Sequence, residues 1–258
     1  MSEEGLDSQA EYIAALVELH RGLPRQGPGD VGFALDLIGE LPALPDRPRI
    51  ADLGCGSGAA ALLLAKHFQS LVRAVDSSSV LIAELRQNVF QAGLDHLVEP
   101  ICANMATLDW PAGSIDLLWS EGAAYNLGFE HALKLWRPLL AVGGVAVVSE
   151  MSWFQPDAPE TVRQFWQSAY PGMSSEAENL ARAKLAGFDV LFTKRLPSQA
   201  WWDNYYQPLR QRMDHLEQSE IAEAVLEETR QEMALFEEFS DFYGYTFYVV
   251  CASSSHRS

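Results

Sequence analysis

The sequence predicts an α/β protein built on a doubly wound sheet of seven strands, mostly parallel, with an antiparallel last strand and helical insertions. Short apolar segments alternate with helical segments from residue 49 onward, and parallel strands need such crossovers. A glycine-rich turn follows the first of these segments, where doubly wound sheets bind ligands. The last two strands lack a conventional helical connection, which allows the last strand to insert antiparallel.

Composition narrows the class of protein. The 258 residues carry 35 acidic and 18 basic side chains, a net charge of −17, with 48% hydrophobic and 21% charged residues. These values are typical of a folded core. The longest apolar run, 59–65, is far shorter than the roughly 20 residues of a membrane span. The acidic balance argues against a nucleic-acid partner, which needs a cationic face.

The acidic N-terminus lacks the basic-then-apolar order of a signal peptide. Three scattered cysteines, Cys55, Cys102 and Cys251, lack metal-ligand spacing and read as reduced thiols. We therefore expect a cytoplasmic protein without a metal site and without a membrane partner, acting as a monomer or homodimer.

The N-terminal segment precedes the alternation. An apolar periodicity predicts a helix over residues 8–20, and the Gly- and Pro-rich loop 21–29 separates it from a second helix. Asp30 is a plausible N-cap of that helix, which ends before Pro42.

The alternation itself predicts seven strands and four core helices. The strands are expected at 49–53, 71–76, 98–103, 114–119, 145–150, 189–196 and 245–251, and the helices at 59–68, 77–92, 130–140 and 175–186. Segments 151–174 and 197–240 interrupt the pattern. We interpret residues 1–258 as one domain: N-terminal helices and a lid loop at 1–48, a core at 49–196 and 241–251, and a helical cap at 197–240.

The turn Gly54-Cys55-Gly56-Ser57-Gly58 joins the first strand to its helix. Glycines permit positive φ and let a ligand approach the backbone, and the helix start offers unpaired N–H groups. Asp52 precedes the turn and Asp76 ends the next strand. A carboxylate at Asp76 can accept both ribose hydroxyls of a nucleoside.

The turn alone does not select a cofactor, because Gly54-x-Gly56-x-x-Ala59 also satisfies the nicotinamide-dinucleotide pattern. Asp52 suits an ammonium or sulfonium group better than a pyrophosphate. The turn also follows some 50 residues of helix and loop, whereas a dehydrogenase domain usually opens with it.

The ordered set of motifs resembles class I S-adenosylmethionine-dependent methyltransferases. It comprises the turn with Asp76, Ala103-Asn104-Met105, 116–122 and 137–144. Within that class the chain is most similar to the ubiquinone/menaquinone C-methyltransferase-like group of small-molecule enzymes. Segments 22–29, 119–126 and 243–247 resemble a bacterial subgroup of it, and the resemblance covers about residues 8–251.

The resemblance implies a Rossmann-like core and a set of cofactor-binding positions for S-adenosyl-L-methionine. They are Asp52, Gly54, Cys55, Gly56, Gly58, Asp76, Ser77, Asn104, Met105, Ser120 and Glu121. Asp52 would lie near the methionine amino group. Asn104 stands where the family usually has Asp, and its carboxamide oxygen can still accept from the adenine amino group.

The residues that would contact the methyl acceptor are less clearly indicated than those that would bind the cofactor. Methyl transfer is an in-line displacement in which the enzyme mainly aligns the reactants, and a general base helps where the nucleophile must lose a proton. Glu121 and Tyr125 follow the fourth strand and are the preferred catalytic candidates over His20 and His131. Five further residues are substrate or lid candidates: Arg25, Gln26, Trp153, Trp201 and Tyr205. The aromatic ones could equally pack the cap onto the core, and the lid could be a plain connector.

The predicted function is therefore methyl transfer from S-adenosylmethionine to a small-molecule acceptor. Two alternatives stay open: a non-catalytic module that binds S-adenosylmethionine or a nucleotide, and, less favoured, an NAD-dependent oxidoreductase.

Overall fold

The computed structural model describes residues 3–214 and 220–253, and one sheet organises them. Its strands are β1 (Ile50–Leu53), β2 (Val72–Asp76), β3 (Val98–Cys102), β4 (Ile115–Ser120), β5 (Leu140–Trp153), β6 (Ser174–Ser175), β7 (Phe188–Arg195) and β8 (Tyr243–Ala252). The spatial order is β3-β2-β1-β4-β5-β8-β7, with β6 attached to β5. The strands β1 to β6 pair in parallel, and β8 runs antiparallel to both β5 and β7. The predicted fold class is confirmed, with a two-residue strand added.

Ten α-helices are present in the described chain. They are α1 (Glu3–His20), α2 (Val31–Gly39), α3 (Ala59–Phe68), α4 (Ser79–Ala92), α5 (Phe129–Trp136), α6 (Glu160–Ala169), α7 (Glu176–Leu185), α8 (Ser198–Trp201), α9 (Gln207–Met213) and α10 (Glu220–Phe239). Asp30 caps α2 by accepting from the Phe33 amide at 2.8 Å, as expected of that residue type. None of these helices is both long and apolar enough to cross a membrane.

Several element boundaries differ from the sequence expectation, and α1 begins at Glu3 instead of residue 8. The helix predicted at 130–140 ends at Trp136, because Pro138 forces a short 3₁₀ turn over Arg137–Leu139. The fifth strand, predicted at 145–150, runs from Leu140 to Trp153. Its extension beyond the predicted range pairs with β8 as far as Trp153 opposite Tyr243, a long-range contact that a local pattern does not reveal.

The helices cover both faces of the sheet. One buried cluster packs α2, α3, α4 and the cap against one face, and a second packs α5 and α7 against the other. The predicted cap contains α8, a π-helical turn over Trp202–Tyr206, α9 and α10. Residues 1–2, 215–219 and 254–258 of the predicted domain lie outside the described residues. The carboxyl ends of β1, β2 and β4 meet at one edge, below the lid loop 21–29.

Candidate functional site

The glycine turn follows β1 and enters α3. Gly54, Gly56 and Gly58 have φ of +75°, +54° and +94°, a region that favours glycine. A Cβ on Gly54 would stand 2.1 Å from the Cβ of Ala123. The turn is therefore tightly packed as well as left-handed, and larger residues would displace it.

Asp76 organises the turn from the end of β2. One of its carboxylate oxygens accepts from the Gly56 amide at 3.0 Å, and the other accepts from the Ser78 amide at 2.8 Å. The side chain is half-buried, whereas the adjacent Ser77 is exposed. Asp76 thus stands beside the turn in a fixed orientation.

Asp52 is a buried acid with no salt-bridge partner among the residues that the structure describes. It is 1% exposed, and its Oδ2 has no hydrogen-bond partner among the described residues. Burial raises the pKa of this carboxyl well above its ordinary value, and the charges of Glu121 and Asp76 raise it further. A hydrogen bond from the Ala61 amide and the charge of Arg25 oppose that shift. A positively charged ligand group would stabilise the carboxylate here.

The lid loop lies directly on the glycine turn. The Gln26 Oε1 accepts from both the amide and the hydroxyl of Ser57, at 2.8 and 2.9 Å. A Cβ on Gly56 would approach that oxygen to 2.4 Å. The Gln26 Nε2 donates to the Leu23 carbonyl at 3.2 Å, within the lid itself. Gln26 therefore links the lid to the turn.

A buried ion pair makes a second connection between the lid and the sheet. The Arg25 Nη1 lies 2.7 Å from Glu121 Oε2, and both side chains are about nine-tenths buried. The other Glu121 oxygen accepts from the Trp119 indole at 2.7 Å. Removing one partner of such a pair costs about 3–5 kcal/mol, because the other charge stays buried without compensation.

The remaining cofactor candidates lie around the same edge. Ser120 is buried and donates to the Leu53 carbonyl at 2.8 Å. The Met105 sulfur would lie 3.8 Å from a Cβ on Gly54, so it borders the turn. Asn104 is exposed, and its side-chain oxygen already accepts from the Ala106 amide at 2.9 Å. Cys55 lies buried within the turn, and burial raises the pKa of its thiol.

Two of the predicted aromatic candidates occupy different environments. Trp201 is 1% exposed and stacks on Phe236 at 4.3 Å between ring centroids, so it packs the cap. Trp153 is half-buried at the end of β5. It lines a cavity of about 570 Å³ formed with α6 and α7, whose lining does not include the glycine turn.

Tyr205 belongs to the π-helical turn of the cap and meets the end of α1. Its hydroxyl lies 2.9 Å from His20 Nε2, while His20 Nδ1 lies 2.8 Å from the Leu16 carbonyl. Because Nδ1 must donate to that carbonyl, Nε2 of the neutral ring accepts from Tyr205. Burial lowers the pKa of His20, which favours this neutral form.

Three residues at this edge were not among the site residues predicted from the sequence: Glu150, Glu232 and Tyr245. The Tyr245 hydroxyl would lie 2.8 Å from a Cβ on Gly122, directly after Glu121. Tyr245 lies in the segment 243–247, which resembles the bacterial subgroup, so the sequence could have identified it. Glu150 offered a weaker signal, as an acid near the end of an apolar strand. Glu232 lies in an acidic helix and offered none.

Comparison with known proteins gives a domain match over the central part of the chain. Residues 50–144 match the family model described as "Methyltransferase domain". This match contains the glycine turn, Asp76 and Glu121.

Two curated relatives match more than half of the chain at lower than 30% identity. A 24-methylenesterol C-methyltransferase 2 of Oryza sativa subsp. japonica is 28% identical over 60% of this chain and 46% of its own length. A trans-aconitate 2-methyltransferase of Escherichia coli O6:K15:H31 is 27% identical over 68% of this chain and 67% of its own. The match spans about half the length of the plant sterol relatives.

Among solved structures, an S-adenosylmethionine-dependent methyltransferase from Thiobacillus denitrificans superposes with a TM-score of 0.73. It is 19% identical, and the match covers 93% of this chain and 98% of that one. The structure of that protein contains S-adenosyl-L-homocysteine. At this identity the likeness concerns the fold. The chain thus has the class I methyltransferase fold, and its residues 50–144 match the methyltransferase domain family.

Proposed function

We propose that this protein binds S-adenosylmethionine at the glycine turn and transfers its methyl group to a small-molecule acceptor. The orphaned oxygen of Asp52 is the observation that carries the proposal. A buried carboxylate without a partner costs free energy, and a cationic ligand beside the turn would offset that cost. A dinucleotide would instead bring a pyrophosphate toward an acid.

The residues at the turn fit such a ligand. Asp52 would face the ammonium of the methionine part, and the left-handed glycines of 54–58 would hold the backbone of the turn beside it. Asp76, already oriented by two amides, would accept the ribose hydroxyls. Met105 and Asn104 would border the adenine. The Asn104 side-chain oxygen would accept from the adenine amino group as well as from the Ala106 amide. Cys55, Ser77, Ser120 and Glu121 complete the proposed cofactor set.

S-adenosylmethionine supplies an electrophilic methyl on a sulfonium, and the chain's own residues supply alignment and exclusion of water. The lid closes the turn through Gln26 and Arg25. Glu121 is held by Arg25 and Trp119, so we assign it a positioning role in this closed state. Tyr125 remains the proposed acid–base candidate.

The enclosed site supports a small acceptor. The lid covers the turn on one side and the cap packs beside it, with Asn204 donating to the Gly29 carbonyl at 2.9 Å. The names of the sterol and aconitate relatives also point to small-molecule acceptors. The motifs at 22–29, 119–126 and 243–247 support assignment to the ubiquinone/menaquinone C-methyltransferase-like group.

Calorimetric titration tests the cofactor. We expect one site for S-adenosylmethionine and for S-adenosylhomocysteine, and no binding of NAD. Asp52→Asn should weaken S-adenosylmethionine about tenfold or more, since about 1.4 kcal/mol is tenfold. The exposed Asp95→Asn makes the same chemical change and should leave affinity unchanged.

Binding of NAD with no response to the other two ligands would overturn the proposal in favour of an oxidoreductase. Methyl transfer is then followed with radiolabelled donor over a panel of metabolites. Tight donor binding without a labelled product in the whole panel would favour the non-catalytic binding module.

A further inference from the structure

The lid loop carries a buried arginine with one guanidinium nitrogen left without a partner. Arg25 is 9% exposed, and its Nη1 donates to Glu121 Oε2 at 2.7 Å. A Cβ on Gly29 would stand 2.2 Å from the same Nη1, so Glu121 and the lid backbone enclose this nitrogen. Nη2 is also buried, and it has no hydrogen-bond partner among the described residues. A buried charged donor without a partner costs free energy and calls for an explanation.

Asp52 shows the same anomaly with the opposite charge. Its Oδ2 is buried and unpartnered in the described part of the chain. Arg25 and Asp52 do not satisfy one another, because the ion pair that Arg25 forms within that part is with Glu121. Two buried charges of opposite sign therefore each retain one atom that a ligand can bind.

The strand register brings these two side chains to the same edge of the sheet. Asp52 on β1 is paired with Trp119 on β4, and neighbouring strands lie about 4.8 Å apart. The Trp119 indole donates to Glu121 Oε1 at 2.7 Å, and the other Glu121 oxygen accepts from Arg25. This series of contacts joins Asp52 to Arg25 at the carboxyl ends of β1 and β4, beside the glycine turn.

A guanidinium can bind two carboxylates at once, because its N–H donors form a planar fork on separate nitrogens. Nη2 of Arg25 can therefore bind a second carboxylate while Nη1 keeps Glu121. A simple anion at this place would meet the Asp52 carboxylate without supplying a cation. An α-amino acid group carries an ammonium and a carboxylate on one carbon, so it supplies a partner for both unpartnered atoms.

We propose that Nη2 of Arg25 binds the α-carboxylate of the methionine part of the ligand, while Asp52 binds its α-ammonium. This inference rests on the proposed binding of S-adenosylmethionine, and it names the residue that recognises the anionic end of that ligand. It assigns Arg25 to the cofactor instead of to the methyl acceptor. Because the same guanidinium holds Glu121, one side chain fixes the ligand carboxylate, the lid and the end of β4.

Two ligands that differ by one carboxylate test the inference without an acceptor and without turnover. S-adenosylhomocysteine and its decarboxylated analogue, S-adenosyl-3-thiopropylamine, share the ammonium, the thioether, the ribose and the adenine. Each is titrated calorimetrically into the protein at constant ionic strength. We expect S-adenosylhomocysteine to bind at least about tenfold more tightly, because the analogue lacks the charge-assisted hydrogen bond to Arg25.

Matched variants identify the residue that recognises the carboxylate. Arg25→Gln should reduce the ratio of the two dissociation constants to about threefold or less, since the charge that distinguishes the ligands is gone. Arg21→Gln makes the same change in the same lid, at an exposed arginine that pairs with Glu18 and Glu84, and should keep the full ratio. Asp52→Asn should weaken both ligands and keep the ratio, because both ligands carry the ammonium.

The ratio of affinities distinguishes recognition of the carboxylate from a structural role of Arg25. If loss of the Arg25–Glu121 pair only loosened the lid, both ligands would weaken alike and the ratio would stay at the parent value. If Arg25→Gln does not fold, the double variant Arg25→Gln with Glu121→Gln, which removes both buried charges, is measured in its place.

The outcomes separate this inference from the proposed function. Failure of S-adenosylhomocysteine to bind would overturn both. Binding of S-adenosylhomocysteine and of its decarboxylated analogue with equal affinity would overturn the role of Arg25 alone. A tenfold ratio that persists in Arg25→Gln would do the same, because another residue would then recognise the carboxylate.

Discussion

Glu150 shows how one buried acid can influence both stability and chemistry. It lies on β5, is 2% exposed, and has one oxygen bonded to Tyr170 and one unpartnered. Burial raises the pKa of Glu150 to about 7, while the hydrogen bond from Tyr170 and the charge of Arg182 oppose the shift. A carboxyl that titrates near neutrality is suited to exchange protons with a ligand.

This shift predicts a pH dependence of stability. The pKa is higher in the folded state, so the contribution of Glu150 is fully present below its unfolded pKa of about 4.3. It is lost as the pH rises through about 7. Glu150→Gln should remove that loss, so its free energy of unfolding should fall less than that of the parent between about pH 5 and pH 8, by up to about 3 kcal/mol.

Urea unfolding at a series of pH values measures this difference. Glu237→Gln, an exposed residue of α10, is the control and should follow the parent curve. Parallel curves for Glu150→Gln and the parent would show that Glu150 is ionised throughout this range.

At the scale of elements, the lid loop and the turn it covers act as one unit. Gln26 makes two hydrogen bonds to Ser57, and Arg25 pairs with Glu121. A ligand must displace these contacts to enter or to leave. The π-helical turn over Trp202–Tyr206 lies beside the lid, and π-turns often occur at functional sites.

Gln26→Ala should therefore speed both entry and release of S-adenosylhomocysteine. Two hydrogen bonds of about 1 kcal/mol each predict rate constants up to about thirtyfold higher, since about 1.4 kcal/mol is tenfold, with a smaller change in Kd. Stopped-flow titration and displacement measure the two rates. The exposed Gln87→Ala on α4 should leave them unchanged, and a slower release in Gln26→Ala would contradict a lid role.

For the whole molecule, the net charge of −17 predicts how thermal stability depends on salt. Like charges at this density repel one another and destabilise the compact state, and salt screens them. Raising sodium chloride from about 0.02 M to about 0.3 M shortens the screening length from about 20 Å to about 6 Å, so we expect Tm to rise by a few degrees. Calorimetry at fixed pH measures it, and a lower Tm at high salt would contradict the expectation.

Local patterns predicted the order of elements and the glycine turn, since strand–turn–helix units have short-range signals. The antiparallel last strand was predicted from the unconventional connection before it, which the structure builds from α8, α9 and α10. The full length of β5 was not predicted, because its extension beyond Glu150 pairs with 243–245 from far along the chain.

The residues of the candidate site likewise divide into those that local sequence patterns predict and those that only the fold brings together. Asp52 and Asp76 were found from their spacing to the turn. The contacts of Gln26 with Ser57 and of Arg25 with Glu121 join residues 31 and 96 positions apart, so only the fold reveals them. Glu232 could not be predicted from the sequence, because the sequence of an acidic helix does not distinguish a buried glutamate from its solvated neighbours.

The central position of β8 has a consequence for biosynthesis. Tyr243–Ala252 fits between β5 and β7, so a nascent chain that has not yet delivered this strand presents two unpaired edges at once. Open edges of this kind recruit other strands. Ribosome-bound intermediates of this protein should accordingly depend on chaperones until the closing strand emerges.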